Sequence, residues 1–372
     1  MKKTLLFLAI VIFSFIGTQC ASTTANSPET GGLKTNSFDL ALVSDGSTIE
    51  TNAFIRGIWE GIIRFGTEKS VTHKYYLPSG QNEQALMAAI DEAVLGGAKI
   101  IVAPGFNFEV PVYLAQDKYP DVKFILVDSM PRSQSVAGQP NTYRTGPNTA
   151  GILYAEDQAG FLAGYAAVRE GYRQLGFMGG MAYATVIRYG YGFIQGAEYA
   201  ARELNLAPGS ITVKYHYTGD FAASAKTKAL ASAWYGAGAE LIFACGGAVG
   251  NSVIEAAEQA GKKVIGVDID QSGESKAVIS SAMKGLGYSV YTCIATFYAG
   301  RFPGGKALVF SAANNGVQLP MASSRFKTFG NADYDAILKK LSDGSIPRIT
   351  HLDSGGKPGL VPVSILKIEE TL

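Results

Sequence analysis

The chain has 372 residues, of which 32 are basic and 31 acidic, for a formal charge of +1, and 47% of its residues are apolar. So even a charge balance creates no field that would draw the chain to a polyanion, which excludes nucleic acid as a partner, while the length suits two domains of roughly 150 residues each. The three cysteines hold no pair at metal-ligand spacing, and neither a metal nor a cofactor site is indicated.

Taken from the start, Lys2 and Lys3 precede an almost unbroken apolar run from Leu5 to Ile16. That run is shorter than the about 20 residues a membrane span needs and suits a signal-peptide core. Gly17-Thr18-Gln19-Cys20 follows and resembles a lipobox, which predicts a signal peptide over 1–20 and lipidation of Cys20 at an extracytoplasmic membrane face. Residues 21–37, rich in Ser, Thr, Asn, Pro and Gly, read as a tether.

Short apolar strands then alternate with amphipathic helices. Strands are predicted at 38–43, 99–103 and 123–127, with helices at 53–65, 84–95 and 111–118 between them. The alternation restarts at Gly151-Ile152-Leu153-Tyr154. Helices follow at 157–169, 190–204, 223–236 and 251–260, and strands at 174–178, 211–217, 240–245 and 263–267. Alternation on this scale predicts a doubly wound α/β architecture with parallel sheets, and two successive blocks predict two lobes.

Ligands of open α/β sheets bind beyond the carboxyl ends of the strands, so the residues just past each strand are the candidates. These are Asp45, Phe106 within Gly105-Phe106-Asn107-Phe108, Asp128, Phe221 after Gly219-Asp220, Gly246 with Gly247, and Asp268. Lys284 follows a further apolar stretch, and Phe54 lies early in the first helix. Aromatic rings stack on flat ligands, carboxylates accept hydrogen bonds from hydroxyls, a lysine offsets their desolvation, and glycines admit a ligand close to the main chain. Each has a plainer reading: Asp45 or Asp128 as a cap, Phe54 as core, Lys284 as a solvated surface residue. Cys245 and Cys293 sit in apolar runs and read as small buried hydrophobes, with their pairing left open. Gly246-Gly247-Ala248-Val249-Gly250 lacks the spacing of a dinucleotide loop.

At these residues the sequence resembles the basic membrane protein family of bacterial lipoproteins, which includes a spirochaetal purine nucleoside receptor. The likeness rests on Asp45, Phe54 and Trp59-Glu60-Gly61, on Pro104 to Phe108, and on Phe124-Ile125-Leu126-Val127-Asp128. It continues through Gln158 to Gly164, Gly176 to Met181, Ile265 to Gln271 and Ser280 to Lys284. The resemblance implies a type I periplasmic-binding fold with three crossovers, lobe I being 38–149 and 278–328 and lobe II 150–277 and 329–372. It implies a monomeric, non-enzymatic solute-binding protein that serves an ABC permease and closes on a purine nucleoside. Phe54 and Phe221 would then sandwich the base, Asp45 and Asp128 would address polar groups, Asp268 and Lys284 would hold the ribose, and Gly246 and Gly247 would give main-chain contacts.

Relatives commonly read Ser-Phe-Asn-Gln where this chain has Ala53-Phe54-Ile55-Arg56, and Asp-Ile-Pro-Val where it has Ala182-Tyr183-Ala184-Thr185. Small polar groups are thereby lost beside the ring, which makes riboflavin the rival ligand, since it also joins a flat ring to a polyol. A nucleoside-cleaving enzyme is the third reading, with Asp45 and Asp268 as a carboxylate pair. None of His73, His216 and His351 stands beside a Ser or Cys in a nucleophile elbow.

Overall fold

Runs that are apolar at every position, such as Leu-Ile-Phe-Ala-Cys, form strands buried on both faces, the pattern of parallel sheets covered by helices. The computed structural model describes residues 38–137, 139–348 and 356–370; the expected signal peptide, tether and Cys20 lie outside the described residues. The first stretch runs β1 (Leu40–Val43), α1 (Ala53–Lys69), β2 (His73–Tyr76), α2 (Glu83–Leu95), β3 (Ile100–Pro104), α3 (Glu109–Lys118), β4 (Lys123–Val127) and β5 (Thr149–Tyr154). The second runs α4 (Glu156–Glu170), β6 (Gln174–Gly179), α5 (Ala184–Glu203), β7 (Ile211–Tyr217), α6 (Ala225–Gly236), β8 (Leu241–Cys245), α7 (Val249–Ala260), β9 (Lys263–Asp268) and β10 (Val278–Lys284). The chain ends with α8 (Leu286–Tyr298), β11 (Lys306–Phe310), β12 (Val317–Gln318), α9 (Asn331–Ser342) and β13 (Leu366–Glu370).

Two sheets result, the doubly wound α/β architecture expected. The first has the order β11-β5-β4-β3-β1-β2 and the second β12-β10-β9-β8-β6-β7-β13. All pairings are parallel except β12 on β10. The chain passes between the sheets three times: at Ala155, at Gly285, and across 311–316. The three passages are tied together, Ala155 N donating to Phe310 O (2.9 Å) and Gly285 N to Gly316 O (2.9 Å).

Strand pairing moves the lobe boundaries expected from sequence. Residues 149–154 pair with β4 and β11 and so complete the first sheet, rather than opening the second lobe. Residues 278–284 pair with β9 in the second sheet, and β12 adds to the same edge, so 278–284 and 317–318 leave the first lobe. The physical reason is that a strand's lobe is set by its partner across the ladder, which its own apolar pattern does not encode.

Local signals hold where caps are strong. Asn52 starts α1 by accepting hydrogen bonds from the N–H groups of Phe54 and Ile55. Ile55, Ile58, Ile62 and Phe65 then bury one face at helical spacing. Helix α5 begins six residues before the predicted start, and the added turns carry Thr185, Val186 and Ile187, β-branched residues of low helix propensity. Packing overrides that propensity. A Cβ placed on Gly160 or Gly164 would lie 2.1 or 2.0 Å from carbonyl oxygens of α5, and one on Gly192 or Gly196 would lie 2.1 or 2.0 Å from those of α4. The two helices therefore touch backbone to backbone along a reciprocal glycine seam.

Candidate functional site

The strand ends of the two lobes face each other, and β4 and β9 deliver the two most unusual residues there. Asp128 and Asp268 both have φ of 70°, on the left-handed side that few non-glycine residues adopt. At Asp268 the turn is closed by Ile269 N donating to Val267 O (2.8 Å), a γ-turn of the strained, positive-φ kind. The sharp turn aims each carboxylate at one cation, Lys284, at the end of β10.

Lys284 is buried, and its ammonium donates to Asp128 Oδ2 at 2.6 Å. Asp268 Oδ1 lies 3.6 Å away and Glu156 Oε1 3.7 Å away. Phe54, Tyr154 and Tyr189 present ring faces with centroids 5.5, 5.5 and 5.3 Å from the ammonium, within cation–π range. Burial alone would lower the lysine's pKa, but the three carboxylates raise it above its ordinary value, so it stays charged. Burial pushes the Asp268 carboxyl up to about 6 and that of Glu156 up to about 7, against the pull of Lys284 on both. Arg188 from α5 pairs with the other oxygen of Glu156. The lysine thus bridges the lobes: Asp128 belongs to the first, Lys284 and Asp268 to the second, and Glu156 sits just past the first passage.

Toward the mouth the chemistry turns aromatic. Phe106 of the first lobe lies 4.2 Å, centroid to centroid, from Tyr183 and 5.9 Å from Phe221, both of the second lobe. Tyr183 and Phe221 stack at 6.0 Å with planes 19° apart. Gly246 lies so close to Gly180 that a Cβ on it would come within 2.5 Å of Gly180 N. Gly247 faces Phe221 and the Asn52 side chain of the first lobe. Phe54 comes from the first lobe, beside Lys284, and Phe221 from the second. Asn251 Nδ2 donates to Thr51 O at 3.4 Å, and Arg56 pairs with Glu274, so the described form is closed.

Of the expected residues, Asp128, Asp268, Lys284 and Phe54 meet at the floor, and Phe106, Phe221, Gly246 and Gly247 line the upper walls. Asp45 joins neither group: its carboxylate accepts from Ser47 N at 2.9 Å in a local turn, and the following helix is capped by Asn52 rather than by Asp45 as its plainer reading had it. Cys245 and Cys293 are free, buried thiols in different lobes. Glu156 and Tyr183 escaped the sequence reading. An acidic residue in a first helical turn reads as ordinary complement to the helix dipole, and Tyr183 stood in a stretch noted only for departing from its relatives. A further hollow of about 610 Å³, lined by Arg56, Glu60, Glu274 and Tyr288 among others, includes Lys284 but none of the other expected residues. Among the described residues, no cluster of three or more His, Cys, Asp and Glu could hold a metal ion, and no helix is long and apolar enough to cross a membrane.

Comparison with known proteins matches residues 38–351 to the family model described as ABC transporter substrate-binding protein PnrA-like (Bmp). The chain is 25% identical over 368 residues to an ABC transporter nucleoside-binding protein of Lactococcus lactis, covering 92% of this chain and 97% of the relative. It is 23% identical over 324 residues to basic membrane protein B of Borreliella burgdorferi, covering 85% and 89%. Among solved structures, an ABC transporter solute-binding protein of Aeropyrum pernix superposes with a TM-score of 0.71 at 20% identity, covering 85% of this chain and 94% of that one.

Proposed function

Because the chain belongs to the PnrA-like family of ABC-transporter substrate-binding proteins, we propose that its cleft captures a nucleoside, with the purine nucleosides first among them. Family membership makes it a solute-binding component of an ABC importer rather than an enzyme, and an extracytoplasmic lipoprotein. The nucleoside reading is carried by one observation: rings from both lobes stand above a buried lysine ringed by carboxylates. A heteroaromatic base fits between Phe54 and Phe221, since stacking tolerates any flat ring. Sugar hydroxyls fit the floor, where each can accept from Lys284 and donate to a carboxylate. Gly246, packed against Gly180, and Gly247, facing Phe221 and Asn52, would offer main-chain groups to the ligand beside the Phe221 ring. The name of the Lactococcus lactis relative supports the same class. A cognate permease in the membrane would receive the closed, loaded form, and the protein would act as a monomer anchored through Cys20.

Riboflavin is the second reading, and the first lobe favours it. Ile55 is fully buried in the core, and Arg56 is engaged with Glu274, so neither places a small polar group beside the ring. Tyr183 adds a third aromatic surface on the opposite wall. The deciding experiment is the absorbance spectrum and mass of the small molecule released when the purified protein is denatured. A nucleoside mass supports the first reading; a yellow flavin replaces it with the second; a metabolite lacking both ring and hydroxyls refutes both.

A further inference from the structure

We propose that Glu156 is a ligand-binding residue which, together with Asp128, makes the floor of the cleft select an uncharged hydroxyl-bearing end over its phosphate ester. This rests on the cleft being the solute site, and it names which form of the solute is taken.

The floor is short of hydrogen-bond donors. Glu156 is 0% exposed; one carboxylate oxygen takes Arg188, while Oε1 has no hydrogen-bond partner. Asp128 repeats the pattern, with Oδ2 held by Lys284 and Oδ1 unpartnered and buried. A buried acceptor left unmatched costs about 1–3 kcal/mol, so two of them around one lysine mark a place where something donates. The spacing says what kind of donor. At 3.7 and 3.6 Å, Glu156 Oε1 and Asp268 Oδ1 are too far from the ammonium for a direct hydrogen bond. Lys284 has three protons to give and uses one on Asp128. A hydroxyl seated beside either pair, within reach of both atoms, accepts from the lysine and donates to the carboxylate, completing both at once.

Charge decides against the ester. Asp128, Asp268 and Glu156 outnumber Lys284 and Arg188, so the floor carries a net negative charge when all are ionised. A phosphate monoester brings up to two more negative charges and no donor beyond its acid proton. Against two unpartnered carboxylate oxygens it meets like charge at close range in a buried site, where such contacts are severely unfavourable. A solute that starts as a phosphate ester must therefore pass through a phosphomonoester hydrolysis outside the membrane before this protein can take it.

The test is titration calorimetry at about pH 8, above the raised value of Glu156. The probes are guanosine, riboflavin and ribitol, the esters guanosine 5′-monophosphate and riboflavin 5′-phosphate, and guanine as the free base. Wild type should bind the best hydroxyl compound at least roughly a hundredfold better than its ester. Glu156→Gln and Asp128→Asn should each lose roughly tenfold or more on the hydroxyl compound, the worth of one hydrogen bond to a charged group, while narrowing the gap to the ester. Guanine affinity should hold in both, which also shows that the variants fold. Equal binding of ester and hydroxyl compound by wild type overturns the inference, as does a Glu156→Gln variant with unchanged affinity and unchanged ratio. Binding of ribitol alone, with the same sensitivity to Glu156, would retire the nucleoside and riboflavin readings but keep this one.

Discussion

The floor and the mouth of the cleft solve opposite problems with opposite chemistry. At the floor, charged groups at the strand ends are almost fully withdrawn from water and held in fixed register by positive-φ turns at Asp128 and Asp268. At the mouth, Phe106, Tyr183 and Phe221 touch only through their faces and edges, and Tyr183 is 40% exposed. A buried ion pair is intolerant of a missing partner, whereas ring contacts are soft, additive and indifferent to small shifts. The difference teaches where selectivity resides: the floor discriminates by hydrogen-bond count and charge, and the mouth supplies area.

The sharpest way to break this contrast is Lys284→Met. Removing the central lysine leaves three carboxylates with Arg188 on Glu156 as their remaining cation, and loss of one partner from a buried pair costs about 3–5 kcal/mol. Chemical denaturation should show a loss in that range together with abolished binding; wild-type stability would mean that the floor is open to water. At the mouth, Phe221→Ala should weaken binding by about 1–3 kcal/mol and leave the unfolding midpoint nearly unchanged. Titration with the released ligand decides it, and Phe54→Ala should lose binding within the same range.

Acidity offers a subtler separation. Burial raises Glu156 to about 7, with Lys284, Arg188 and Asp128 facing it, against an ordinary value of 4.5. The folded chain therefore holds that proton more firmly than the unfolded chain. The resulting stabilisation is fully present below about pH 4.5 and is lost as pH rises through about 7. Denaturation at pH 5 and pH 8 should show wild type losing stability relative to Glu156→Gln over that interval, and a pH-independent difference would place Glu156 in water. The smallest effect belongs to Asp45→Ala, whose carboxylate serves only its own turn among the described contacts; binding should change by less than about 1 kcal/mol.

How much of this could be read in advance follows the range of the forces involved. The α/β class, the strands at 123–127 and 211–217 and most helices were legible because they are written locally, in apolar runs and capping residues such as Asn52. Asp128, Asp268 and Lys284 were legible as strand-end residues. Their convergence was not, since it depends on β10 pairing with β9 rather than joining the first sheet. The edge strand β2, His73–Tyr76, carried no apolar run to reveal it, being only partly buried over most of its length. Glu156 was hidden for a different reason. Its role arises from the passage between lobes that sets it beside Lys284, and a single acidic residue at a helix start has too many ordinary explanations to stand out.

The glycine seam between α4 and α5 has a mechanical consequence. Where backbones interlock with no side chain between them, two helices act as one stiff beam, and compliance is left to the three passages at the hinge. Glu156 begins one of these helices and Tyr183 immediately precedes the other. One stiff unit therefore carries both a charged group of the floor and an aromatic of the mouth. Neither group can then shift in the cleft without carrying the other with it.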